Sequence, residues 1–145
     1  LDQRKMHMLA REELPYLGFK APIAIHHEFM LGLQGGKMSS SQPKSSIMIN
    51  ESPSEIKKKI GEAFCPAKQV KENPILEICK FIIFPREKDL RIERDIKYGG
   101  DLVHKSYAEL EKDFAAGKLH PLDLKKAVAE SLIKILAPVR KKVPK

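Results

Sequence analysis

The sequence predicts a mainly α fold with one small β-hairpin, preceded by a short mixed α/β segment that ends near residue 50. Three observations lead there. After residue 50, apolar residues recur at helical spacing in four stretches, each opened by a Ser, Asn or His beside a helix-starting residue. Between the second and third stretches, alternating residues flank a Gly99-Gly100 pair, the pattern of a hairpin. The first 50 residues hold too few elements to close an α/β sheet by themselves, which is expected of the edge of a larger sheet domain.

Residues 2–14 read as a helix, with Met6, Leu9, Ala10 and Leu14 on one stripe and Pro15 as the stop. Residues 21–27 are short and apolar with an Ile pair, and a strand is expected. Residues 32–43 are dense in Gly and Ser without apolar periodicity, so a mobile loop is expected there, and residues 46–50 are expected to be a second short strand. Ser52-Pro53-Ser54-Glu55 then opens a helix with a capping box and Pro at its first position, continuing through Ile56, Ile60, Ala63 and Phe64. Asn73-Pro74 opens the next, with Ile75, Leu76, Ile78, Cys79, Phe81 and Ile82 ahead of Pro85. Residues 90–97 and 101–104 make the hairpin. Ser106 and Glu109 form a second capping box for a helix closed by Gly117. The last helix starts at His120-Pro121 and buries Leu124, Val128, Leu132, Ile135 and Leu136, until Pro138 kinks or ends it. A five-helix or similar bundle with a hairpin is expected over 51–145.

At 145 residues the chain has room for one compact domain, or a remnant plus a small one. Its opening on Leu1 without a Met is expected of a piece of a longer protein. The 10 prolines are scattered singly and punctuate elements. No apolar run approaches the roughly 20 residues of a membrane span, so no membrane partner is expected. Lys and Arg outnumber Asp and Glu by 27 to 19, a net charge of +8. The excess concentrates after Lys118, where only Asp123 and Glu130 oppose a run of lysines and arginines. That distribution fits a phosphate-backbone binder, and equally a solvated helix face with a basic tail. Cys65 and Cys79 have no partners at metal-ligand spacing, so they read as free thiols in a reducing compartment, and no metal ligand is assigned.

The sharpest chemical signal is Lys37-Met38-Ser39-Ser40-Ser41. A Lys ammonium is a compact charge suited to pyrophosphate, and neighbouring glycines and serines allow backbone amides and hydroxyls to approach phosphate closely. The run resembles the KMSKS signature of class I aminoacyl-tRNA synthetases, in the KMSSS form of archaeal tyrosyl enzymes. The segments Asp2-Gln3-Arg4-Lys5-Met6-His7, Phe64-Cys65-Pro66-Ala67, Asn73-Pro74, Tyr98-Gly99-Gly100-Asp101, His120-Pro121-Leu122-Asp123 and Pro138-Val139-Arg140-Lys141 follow in that family's order. The resemblance covers essentially the whole chain and identifies it with the C-terminal part of a tyrosyl-tRNA synthetase.

The resemblance implies a division into 1–50, the C-terminal edge of a Rossmann-like catalytic domain bearing the KMSSS loop, and 51–145, a helical anticodon-binding domain. It implies ligation of tyrosine to its tRNA in a cytoplasmic enzyme that uses ATP with Mg2+ as substrate, without a tightly bound cofactor, and that is a homodimer. Lys37, Ser39, Ser40 and Ser41 would contact ATP phosphates during activation; Ser40 stands where many relatives carry a second lysine, leaving more of the charge to Lys37. Gln3 would contact tyrosine, Asp2 the ATP ribose, and His7, one turn beyond Gln3, would border the nucleotide, although a packed histidine fits equally. Tyr98, His120 and Asp123 would hold the first anticodon base, a guanine, with Cys65 near the second. His120, Asp123 and Cys65 also have plain structural readings: the first two stand at a helix N-terminus, where Asp complements the dipole, and a Cys at a helix end is commonly buried. A His-Ile-Gly-His-type segment is absent, so the resemblance assigns the tyrosine and adenine pocket to residues preceding Leu1, and the 145 residues alone are expected to be inactive. The alternatives are an RNA-binding module without catalysis, a basic helical protein with a polar loop, or the related tryptophanyl enzyme; the His-Pro-Leu-Asp and Phe-Cys-Pro-Ala segments favour tyrosine.

Overall fold

The computed structural model describes residues 3–38 and 42–143. In chain order its elements are α1 (Arg4–Glu13), α2 (Pro53–Glu62), α3 (Pro74–Ile78), β1 (Leu90–Ile92), β2 (Leu102–His104), α4 (Tyr107–Ala115) and α5 (Pro121–Arg140). The 20-residue α5 is the spine, because α2, α3 and β1 all pack against it. Its side chains Leu124, Val128 and Leu132 are buried at i, i+4 and i+8, the stripe expected from the sequence. They meet Ile56 and Ile60 from α2, Ile75 and Leu76 from α3, Leu90 and Ile92 from β1, and Leu110 and Phe114 from α4 in one core. Each such side chain contributes roughly 1.5–3 kcal/mol of transfer free energy, so this cluster dominates stability.

Helix starts follow the sequence closely. Ser52 accepts from the Glu55 amide at 3.3 Å while the Glu55 carboxylate accepts from the Ser52 amide at 2.7 Å, a complete reciprocal box. Asn73 Oδ1 accepts from the Ile75 and Leu76 amides, and Pro74 takes the first helical position. At α4 the box is shared differently: Ser106 accepts from the Glu109 amide, but Glu109 reaches the Lys105 amide instead of that of Ser106. After α3 the chain widens into a π-helical turn over Cys79–Ile83, closed by a bond from the Phe84 amide to the Cys79 carbonyl at 3.0 Å. β1 and β2 pair antiparallel in the register Leu90↔His104, Arg91↔Val103 and Ile92↔Leu102, a hairpin where one is expected but shorter than 90–97 and 101–104, because the chain leaves the ladder after Ile92 and turns 3-10 over Ile96–Tyr98.

Five further expectations are corrected. Residues 21–27 form no strand: no ladder partner lies beside them among the described residues, Pro22 removes a donor, and Ile23 and Ile25 are about nine-tenths exposed. Residues 46–50 run irregularly into a turn, for the same want of a neighbouring strand. α2 stops at Glu62, because Ala63 turns to extended ψ and the Phe64 amide bonds the Leu33 carbonyl instead of continuing the helix. Of the two outcomes expected at Pro138, a kink or an end, the end is ruled out, since α5 runs on to Arg140. The bond that Pro138 cannot give lies in the last turn, on an exposed residue, where water can satisfy the Lys134 carbonyl. Likewise Pro15 ends the α-helical part of α1 but starts a 3-10 turn, Leu14–Leu17.

The first 50 residues touch this core mainly through Leu33, which is buried among the helices. α1 contributes no buried side chain, and Met6 and Leu9 stand more than half exposed. Among the described residues no helix is long and apolar enough to cross a membrane.

Candidate functional site

Of the sequence-nominated residues, Tyr98, His120 and Asp123 meet at one cavity, whereas Lys37 stands on the Gly-rich loop and Gln3 and His7 at α1. The cavity, of about 520 Å3, lies between the hairpin tip and the start of α5. Tyr98, His120 and Asp123, which lie 22 and 3 positions apart in the chain, all line it. Tyr98 ends a 3-10 turn, Ile96–Tyr98, capped by Asp95, whose side chain accepts from the Lys97 amide at 3.0 Å. Gly99 and Gly100 follow with φ of 95° and 72°, left-handed values that any side chain would strain, and they turn the hairpin back so that the Tyr98 ring is presented 65% exposed. The Lys97 ammonium sits 4.9 Å from the centroid of that ring.

His120 is the N-cap of α5. Its Nδ1 accepts from the Leu122 amide at 3.2 Å, so the neutral ring carries its proton on Nε2, which is left as a donor. Asp123, half-buried in the first turn, places a carboxylate where the helix dipole favours it. The cavity thus offers an aromatic face, an imidazole N–H and a carboxylate, the set that takes a planar base with N–H donors on its edge.

Cations frame it. Arg94 donates to the Gly100 carbonyl at 2.9 Å and to the Lys118 carbonyl at 2.8 Å, tying hairpin tip to α4–α5 connection. The Lys118 ammonium bonds Asp113 at 3.2 Å and, assisted by His104, holds that carboxyl below the usual carboxylate range against a desolvation that would raise it. Lys68 lines the cavity from a left-handed backbone, φ 64°, and its side chain crosses so close to Gly117 that a Cβ there would stand 2.4 Å from it. Sequence reading missed Lys68 and Arg94: Ala67-Lys68-Gln69 holds no Gly or Asn to signal positive φ, and the bonds of Arg94 go to backbone carbonyls. Cys65 is not among the lining residues; it lies half-buried just before Ala67, with Asn73 Nδ2 3.5 Å from its sulfur, and burial pushes its thiol pKa up.

In the Gly-rich loop the Gly32 amide bonds the Gly36 carbonyl at 3.0 Å, the Gly35 amide returns to the Gly32 carbonyl at 2.8 Å, and Leu31 pairs with Lys37 in an antiparallel bridge. Gly35 and Gly36 have φ of 83° and 70°, and a Cβ on Gly32 would press on Met38 and Ser45 at 3.2–3.3 Å, so the tight turn needs glycine at each. Lys37 emerges exposed directly after it. Ser39, Ser40 and Ser41 lie outside the described residues, as does Asp2. Gln3 is the N-cap of α1 without a side-chain cap bond. His7 does not pack into a core: it is exposed and stacked on His26, ring centroids 5.2 Å apart with Nδ1 3.0 Å from Nε2. Desolvation, then the neighbouring His7 ring and Arg4, lower the His26 pKa. None of Gln3, His7 or Lys37 lines the cavity of Tyr98 and His120.

Comparison with known proteins shows the family. Tyrosine–tRNA ligase of Methanococcoides burtonii is 56% identical over 140 residues, covering 97% of this chain and 44% of that protein. The crystal structure of tyrosyl-tRNA synthetase complexed with L-tyrosine from Archaeoglobus fulgidus superposes with a TM-score of 0.89 at 50% identity, over 97% of this chain and 44% of that one. That of Aeropyrum pernix tyrosyl-tRNA synthetase gives 0.84 at 48% identity, over 99% and 42%. The chain spans less than half the length of these relatives. The model of the family tRNA synthetases class I (W and Y) matches residues 1–137, and the chain belongs to that family.

Proposed function

We propose that this chain is a segment of a tyrosine–tRNA ligase, supplying that enzyme's pyrophosphate-stabilising loop and its reader of the anticodon. The observation that carries the reading is the convergence of Tyr98, His120 and Asp123 on one cavity framed by Lys68, Arg94 and Lys118. A purine seated there stacks on Tyr98, receives the His120 Nε2–H, and gives its N–H edge to Asp123, which discriminates guanine because adenine lacks those donors. The cations attract the phosphates on either side. Residues 51–145 form the anticodon-binding domain and residues 1–50 the edge of the catalytic domain. Cys65, close by in the chain, borders the second base.

At the loop, Lys37 and the hydroxyls of Ser39, Ser40 and Ser41 stabilise charge as it develops on pyrophosphate leaving ATP, while Gln3 orients tyrosine and Asp2 and His7 border the nucleotide. ATP and its magnesium ion enter as substrate. The whole enzyme is cytoplasmic and homodimeric. Without the rest of the catalytic domain, the 145 residues bind tRNA but do not activate tyrosine.

Affinity for tyrosine tRNA, and for the same tRNA with its first anticodon base changed, across a salt series tests the cavity. A loss of about 1–3 kcal/mol on changing the base, abolished in Asp123→Ala, is the expected result. Equal affinity for both, weakening only with salt, would leave a nonspecific basic surface. Pyrophosphate exchange by the full-length enzyme with tyrosine and not tryptophan is the companion test; exchange with tryptophan alone overturns the amino-acid assignment.

A further inference from the structure

The limbs of the Lys37 loop are bonded to the helices behind them by side chains that no catalytic motif includes. On the outgoing limb, the Glu77 carboxylate of α3 accepts from the Leu31 amide at 2.8 Å. At the base, the Leu33 amide bonds the Ser45 carbonyl at 2.8 Å, and the Leu33 carbonyl accepts from the Phe64 amide at 2.7 Å. On the returning limb, Lys59 of α2 donates to the Pro43 carbonyl at 2.7 Å, to the Ser46 carbonyl at 2.9 Å, and to the Glu51 carboxylate. An ammonium has three N–H donors, and here each has an acceptor. Lys59 and Glu51 are largely buried, with 19% and 11% of their side chains exposed, so this is a compensated pair in a sheltered site and not a solvated surface pair.

We propose that Lys59 is a positioning residue for the Lys37 loop. Its three bonds fix residues 43–46 against α2, setting where the loop's far end is anchored and hence where Lys37 stands towards pyrophosphate. The helical unit then acts on tyrosine activation as well as on RNA. This rests on the reading of the loop given above. Lysine suits the role because its donors diverge tetrahedrally from one atom; the planar fork of arginine reaches the carboxylate and one carbonyl but not all three acceptors. Methionine fills the same volume and leaves two carbonyls and a carboxylate without their donor.

The test uses the full-length enzyme with Lys59→Met and Lys59→Arg, measuring tyrosine-dependent pyrophosphate exchange, amide hydrogen exchange over 42–47, and anticodon-base discrimination as a control for folding. Lys59→Met is expected to lower the exchange rate at saturating substrates about 10- to 100-fold with the KM for tyrosine unchanged, because misplacing a catalytic group by about an ångström costs that order. The amides of residues 42 and 44–47 are expected to exchange faster, base discrimination to persist, and Lys59→Arg to recover part of the rate. Wild-type rates and unchanged loop amides in Lys59→Met would overturn the proposal. So would joint loss of exchange, base discrimination and thermal stability, which assigns Lys59 to packing of α2. An inactive wild-type enzyme would instead refute the ligase reading, and the amide measurement would still decide whether Lys59 anchors the loop.

Discussion

His120 serves two roles through its two nitrogens, and substitution separates them. Nδ1 caps α5 by accepting from Leu122, while Nε2 is left for the cavity. Alanine removes both, and loss of a cap costs about 0.5–2 kcal/mol. Asparagine is itself a good N-cap but lacks the ring. His120→Asn is therefore expected to keep the wild-type melting temperature and lose discrimination of the first anticodon base, whereas His120→Ala loses both. A stable His120→Asn protein that still discriminates would remove His120 from base recognition. At this scale the sequence was legible wherever a residue's role follows from its type: a histidine before proline, an aspartate in a first helical turn, glycines in a tight turn. It was opaque where a role depends on a contact made far along the chain. Lys59 meets the Pro43 and Ser46 carbonyls, whose identity as acceptors is not a property of Pro or Ser at all. The positive φ of Lys68 falls on a residue type that does not signal it.

Among elements, helices were readable and strands before residue 50 were not. A helix satisfies its backbone internally and announces its ends through caps, so Ser52, Asn73, Ser106 and His120 marked true starts. A strand exists only beside another. Leu90–Ile92 and Leu102–His104 find each other through a short connection, but residues 21–27 have the composition of a strand without a neighbour among the described residues. The complete box on α2 yields a pH prediction. Hydrogen bonds from Ser52 hold the Glu55 carboxyl below the usual carboxylate range. With the native pKa depressed, its stabilising contribution is fully present above the unfolded value, about 4.3, and disappears as pH falls through the native one. Ser52→Ala is expected to cost about 1 kcal/mol near neutrality, measured by denaturant titration, and the gap from wild type to narrow as pH drops below about 4. A gap independent of pH would show that Glu55 adds nothing to the cap.

Across the whole molecule, one core built on α5 holds α2, α3, α4 and the hairpin, and the Gly-rich loop is joined to it at Leu33. The Tyr98–His120 cavity and the loop are thus mounted on the same packed body, the former at the start of α5 and the latter against α2. The apolar side chains of α1 and of residues 16–29 lie largely outside it, with Tyr16, Ile23 and Ile25 almost fully exposed. The burial of Cys79 at the junction of α3 and its π-helical turn, against the half-burial of Cys65, has a practical consequence. Both thiol pKa values are raised by desolvation, so neither is a reactive thiolate, and access decides which is modified first. An alkylating reagent is expected to mark Cys65 through small local openings and Cys79 only when the core itself comes apart. The slower adduct, counted by mass spectrometry, then reports the global opening free energy in undenatured buffer, and Ser52→Ala should accelerate it by about fivefold for its 1 kcal/mol. Equal labelling of the two thiols would reveal that α3 detaches from α5 without general unfolding. The two native cysteines make the protein its own gauge of cohesion, with no probe introduced.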